Sequence, residues 1–133
     1  MKNLNDHLLN SKQAEILSKE YERTNYSQIN SSRPSGKPDS KHYIYDLEVL
    51  QEYINLIRDD MEKRGIRNKG IRISLGKYPD ISFDPRLNPD FLGYQTIFFS
   101  GEDMDGASAT DRVESAPIPD GPVLDFGTIA PPY

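Results

Sequence analysis

Residues 46–64, DLEVLQEYINLIRDDMEKR, carry a helical periodicity that any fold of this chain has to accommodate. Leu47, Leu50, Ile54, Ile57 and Met61 recur at spacings of 3, 4, 3 and 4, which puts them on one face of an α-helix. Val49, Tyr53 and Leu56 widen that face, as a helix lying on a sheet requires. Asp46 stands where an N-cap acceptor is needed, and Glu48 lies in the first turn, where the helix dipole favours an anion. Lys63 and Arg64 lie in the last turn, and Gly65 supplies the left-handed residue that closes it.

A helix of this kind has to cover something, and two strand patterns follow it. Gly70-Ile71-Arg72-Ile73-Ser74-Leu75-Gly76 alternates apolar and polar side chains, the period of a half-buried strand. Residues 94–100, YQTIFFS, are β-branched and aromatic, and His42–Tyr45 reads as a short extended lead-in. Between the strands, YPDISFDPRLNPDFLG holds prolines at 79, 85 and 89 and is too long for a tight hairpin turn, so a structured surface loop is expected. Upstream, residues 11–24 read as a short helix with Ser11 as N-cap and a narrow stripe of Ile16, Leu17 and Tyr21. Residues 25–40, rich in Ser, Asn, Pro and Gly, bury too little to offset their ordering entropy and are expected to form a flexible linker.

The expected fold class is therefore α+β: a small antiparallel sheet of two or three strands packed by one long helix, plus a short N-terminal helix and an irregular C-terminal tail. The organisation divides into an N-terminal helix and linker over 1–40, an α+β core over 41–100, and an acidic, proline-rich tail over 101–133. That tail holds five prolines and no apolar periodicity; Val123, Leu124, Phe126 and Ile129 offer some anchoring surface, so the tail is expected either to cover a sheet edge or to be mobile.

Charge is unevenly placed. Residues 1–77 hold 14 Lys/Arg against 11 Asp/Glu, whereas residues 78–133 hold 2 against 10, within a net charge of −5. Such asymmetry fits an acidic interaction tail or one half pairing with the other, and it disfavours nucleic acid as a partner of the whole chain. The absence of cysteine excludes disulfides, thiolate metal sites and a cysteine nucleophile, and it favours a reducing compartment. No apolar run has the length of a signal peptide or a membrane span, so a cytoplasmic location without membrane attachment is expected.

Chemistry-bearing motifs are sparse. The acidic run Gly101–Gly106 fails as a calcium loop, because aligning Gly106 to the turn glycine puts Gly101 and Arg112 at ligand positions. His7 and His42 have no second ligand at zinc spacing, and no metal, cofactor or catalytic group is implied. Arg64, Arg67, Lys69, Arg72 and Lys77 form a local basic cluster of the kind phosphate recognition uses, but acidic residues are interspersed and no glycine-rich anion loop accompanies it. Tyr78, Phe83, Phe91 and Tyr94 flank the proline-bearing loop, where aromatic area is gained at low entropic cost; they form either a recognition surface or a satellite core beneath the loop.

Four stretches carry a family resemblance: Tyr45-Asp46-Leu47-Glu48, Lys69-Gly70-Ile71-Arg72-Ile73, Gly76-Lys77-Tyr78-Pro79 and Gly93-Tyr94-Gln95-Thr96-Ile97-Phe98-Phe99. Through them, and the closing LDFGTIAPPY, the chain resembles a group of small proteins of Bacteroidota that pair a long helix with KGIRI-x-x-GKYP and GYQTIFF strands. Ser74-Leu75 stand where an aromatic pair is expected in that group. The resemblance implies a shared lineage and fold and assigns no activity. Three functions are expected in descending order: a protein-interaction or regulatory module using the 78–94 loop and the tail, a small-ligand binder or enzyme using Arg72, Lys77 and Tyr78, and a weak nucleic-acid binder.

Overall fold

The computed structural model describes residues 3–81, 83–106 and 121–130. The fold is α+β, and the long helix is its clearest element. Helix α3 runs Leu47–Lys63, capped by Asp46, whose side chain accepts from the amides of Glu48 at 2.9 Å and Val49 at 3.1 Å. At its other end Gly65, with φ of 75°, donates to Glu62 O, and Ile66 donates to Met61 O. That double bond closes the helix, and Ile66 folds back onto the cluster that contains Met61.

Strands β2 (Lys69–Lys77) and β3 (Gln95–Asp103) form an antiparallel ladder in which Ile73 faces Phe99 and Lys77 faces Gln95. A shorter ladder joins β1 (His42–Ile44) to β4 (Thr128–Ala130). The segment before β4 also reaches β3: Phe99 and Leu124 exchange both main-chain hydrogen bonds, at 2.8 and 2.9 Å. The far edge of β3 is thus covered by the chain's own C-terminal segment, so residues 121–130 belong to the core rather than to a separate tail. β3 likewise runs three residues past the expected boundary at 100. Residues 107–120 and 131–133, the rest of the expected tail, lie outside the described residues.

Helix α3 lies over β3, between β2 on one side and Leu124 on the other. Tyr53, Ile57, Met61 and Phe99 are buried there, with Tyr45, Ile66, Ile97 and Leu124 packed around them. The buried line of the helix is therefore Tyr53–Ile57–Met61, rotated from the expected stripe; Leu47, Val49 and Leu56 are exposed. A second cluster, Tyr78, Leu87 and Tyr94 with Tyr43, Phe91, Leu92 and Phe126, fills the space beneath the 78–94 loop.

The N-terminal third differs most from expectation. Helix α1 (Ser11–Tyr21) is capped by Asn10, one residue before Ser11, through a reciprocal pair in which Asn10 and Gln13 each bond the other's amide. Helical backbone then continues through a π-turn, Glu22–Tyr26, into α2 (Ser27–Asn30). The expected linker is built into the fold. Asp39 and Ser40 are buried, and Asp39 Oδ1 accepts from the amides of Ser40 at 2.7 Å and Gln95 at 2.9 Å. Tyr26 donates to Asp39 O, Asn30 Oδ1 accepts from Asp39 N, and Gln95 Nε2 donates to Ser40 O and Tyr21 Oη. Polar side chains do here what apolar burial does elsewhere, which is why composition alone predicts a linker.

Candidate functional site

The aromatic residues of the 78–94 loop divide between the core and the surface. Tyr78 and Tyr94 are 2% and 4% exposed, so they hold up the loop and are not offered to a partner. Tyr78 Oη donates to Asp125 Oδ1 at 2.9 Å, and Thr96 Oγ1 lies 3.1 Å from the same carboxylate oxygen. Burial pushes the Tyr78 phenol up to about 12. Phe91 is half-buried against Tyr94, and Phe83 alone of the four is exposed, its ring tilted against both Tyr78 and Phe126. Phe126 adopts a positive φ of 62° and carries the Arg86 guanidinium 4.6 Å above its ring.

The basic cluster is largely paired. Arg64 bonds Asp60 at 2.9 Å, Lys69 bonds Glu62 at 2.6 Å and Arg72 bonds Glu102 at 2.8 Å; the last joins the basic half of the sequence to the acidic half. Arg67 and Lys77 are exposed. Arg72, Lys77 and Tyr78 do not converge: the alternation of β2 sends Lys77 to the face opposite Arg72, and the Tyr78 hydroxyl is engaged in the core. Among the described residues no group of three His, Asp or Glu side chains is placed to hold a metal, and no helix is long and apolar enough to cross a membrane.

Two concave features stand out among the described residues. The larger, a cleft of about 990 Å³, lies where the turn after α2 meets the loop, lined by Ile29, Arg33, Lys37, Lys77, Asp80 and Tyr94 among others. Arg33 forms one wall, its guanidinium 4.0 Å from the Tyr94 ring centroid and its Nη1 donating to Gly93 O. Gly93, with φ of 84°, is needed there, because a Cβ would sit 2.7 Å from Asp80 Oδ1.

The second is an apolar groove of about 290 Å³ between α3 and β2, lined by Ile54, Ile57, Arg58, Met61, Lys69, Gly70 and Ile71. It opens onto the row Ile71, Ile73 and Leu75, which is 42%, 60% and 88% exposed. The alternation of β2 predicts this row as the buried side of the strand, and it does point to the face that carries α3. However, α3 is centred on β3 and its flank stops short of β2.

The ladder sets the direction of the free main-chain groups as well. Phe99 spends its amide and carbonyl on Leu124, and Tyr78 N donates to Tyr94 O, so the hydrogen-bonded pairs of β2 and β3 are the even-numbered residues of β2. Lys69, Ile71, Ile73, Leu75 and Lys77 consequently turn their amides and carbonyls to the outer edge. Among the described residues nothing pairs with that edge. The same residues thus offer both the hydrogen-bonding edge and the apolar row.

Residues 71, 73 and 75 are not among the sequence candidates. A signal for them exists: two long strand patterns supply four edges, and the sequence offers only short segments to cover them. The chain matches no protein-family model, no curated protein and no solved structure.

Proposed function

We propose that this chain is a protein-interaction module without catalytic activity of its own, and that it docks an extended polypeptide along the open edge of β2. One observation carries the reading: a nine-residue edge strand with three exposed aliphatics beside an apolar groove, and no proline or bulge within it. Natural sheets blunt such edges with bulges, prolines, inward charges or short strands, and lysine stands only at the two ends of this one. A strand added there gains main-chain hydrogen bonds, while its alternate side chains enter the groove. The loop and tail first expected to dock partners have their tyrosines and Leu124 turned inward, which favours β2 instead.

A photo-reactive residue at position 75, installed in the full chain in its native cells, tests this. A polypeptide adduct is expected at 75 and not at position 59, on the exposed side of α3. Equal labelling at the two positions would overturn the reading.

A second reading, a small-ligand binder, is favoured by the cleft at Arg33 and Lys77, with Lys77 the one member of the expected trio at its wall. A thermal-shift screen against charged metabolites, repeated with Arg33→Ala, tests it; a hit that survives the substitution counts against this cleft.

A further inference from the structure

We infer that the occupant of the β2 edge is β2 of a second copy of this chain, joined about a two-fold axis through Ile73; this rests on the interaction reading above. The strand sequence Lys69-Gly-Ile-Arg-Ile-Ser-Leu-Gly-Lys77 is nearly symmetric about its centre. Antiparallel pairing about Ile73 sets Ile73 against its own mate, Ile71 against Leu75, Gly70 against Gly76 and Arg72 against Ser74. The odd-numbered residues already turn their main-chain groups outward, so this register offers about ten new hydrogen bonds, the number a specific interface usually carries. A one-residue slip would set inward-turned groups against outward-turned ones and is excluded; among the registers left, the one centred on Ile73 pairs all five outward-turned residues.

Side chains fit the same register. Ile71, Ile73 and Leu75 of both copies meet on the α3 face and join the two grooves into one apolar floor between the helices. The ends carry a cost: Lys77 comes opposite Lys69, a like-charge pair that Glu62, bonded to Lys69 and 72% exposed on its side chain, offsets in part. The edge is about 30 Å long, and a band about 15 Å deep along it gives on the order of 450 Å² per copy, so about 900 Å² in all. That stands just below the ~1,000 Å² at which specific interfaces begin, so a weak, concentration-dependent dimer is expected.

The experiment is sedimentation equilibrium of the purified full chain over a wide concentration range, with single-cysteine variants in a protein that has no other cysteine. A monomer–dimer equilibrium is expected, and Ile73→Lys, which sets two like charges face to face, is expected to abolish it. Ile73→Cys places two thiols on Cα atoms about 5.5 Å apart, within disulfide range. It is expected to cross-link about tenfold or more faster than Ile71→Cys or Leu56→Cys, because pairing raises the effective thiol concentration only at the axis. Cross-linking does not depend on Ile73→Lys folding, so it carries the test if that variant fails. A wild-type chain monomeric throughout, or equal cross-linking at 73 and 56, overturns self-pairing. If the purified chain is monomeric while position 75 labels a different protein in cells, self-pairing fails and the interaction module stands; if position 75 labels nothing, both fail.

Discussion

Replacing Asp39 tests whether the N-terminal third is held by polar chemistry. Its side chain is almost wholly buried, and Oδ1 serves two amides, Ser40 N at 2.7 Å and Gln95 N at 2.9 Å. Asp39→Ala leaves both donors buried without an acceptor, at about 1–3 kcal/mol each, so a loss of about 2–6 kcal/mol is expected. Asp39→Asn keeps one carbonyl oxygen in the same place and forfeits only the charge assistance, for about 1 kcal/mol. In urea, with a slope of about 2 kcal/mol per molar for a chain this size, the alanine midpoint falls by about 1–3 M and the asparagine midpoint by about 0.5 M. Circular dichroism reads both transitions. Equal losses for Ala and Asn, or an alanine loss under about 0.5 kcal/mol, would refute the argument, since either shows that the two amides find water or another acceptor.

Three further outcomes follow from the core. Tyr53→Phe removes the hydroxyl that lies 2.9 Å from both Phe99 O and Pro122 O, and it should cost about 1–1.5 kcal/mol in a denaturation series while leaving α3 intact. Gly127→Ala brings a methyl to 2.6 Å from Tyr45 Cζ, a contact that forces the ring off Phe99; about 1–3 kcal/mol of destabilisation is expected, with faster amide exchange in β1 and β4. Tyr43, Tyr45, Tyr53 and Tyr78 are all pushed up to about 12, burial being the main cause. Their folded pKa values lie above the unfolded ones, so the folded state holds more protons between pH 10 and about 12; their contribution is complete below pH 10 and is lost as pH rises through that window. The tyrosinate absorbance of these four should therefore rise together with loss of secondary structure, and their ionisation near pH 10 with the fold intact would contradict it.

Local chemistry made much of the fold legible. Asp46, the charged ends of α3 and Gly65 mark the helix within a residue, because caps and dipole terms act over one turn. Alternation locates β2, and β-branched and aromatic content locates β3, for the same reason: both are properties of the segment. The stretch over 25–40 escaped because its order comes from single contacts distant in sequence. Asp39 bonds Gln95, 56 positions away, and no local pattern records that. The C-terminal segment is similar: Leu124 and Phe126 are visible as anchors, while their placement against β3 and the loop depends on Leu124 meeting Phe99, and Val123, which looks the same in the sequence, stays exposed.

The exposure of β2 has a different origin. Alternation states which side of a strand is apolar; it does not state whether one helix is enough to cover that side. Here α3 presents a line of three fully buried residues, Tyr53, Ile57 and Met61, and that line is taken up by Phe99 and its neighbours. The helix is centred on β3 because Leu124 and Tyr45 fill the space on its other flank, where β2 would otherwise draw it across. Moving the helix toward β2 would cover Ile71, Ile73 and Leu75, but it would expose Leu124 and the Tyr45–Phe99 ring pair, whose centroids are 5.2 Å apart. The apolar row on β2 is thus the remainder of a packing choice that favours the C-terminal segment. A second strand at that edge would cover it without disturbing the first choice. Ile73→Thr should consequently leave the stability of the isolated chain within about 0.5 kcal/mol, as surface substitutions do, while weakening whatever association the edge supports. A large loss of monomer stability from that one change would mean that β2 is already covered, and the open edge would have to be given up.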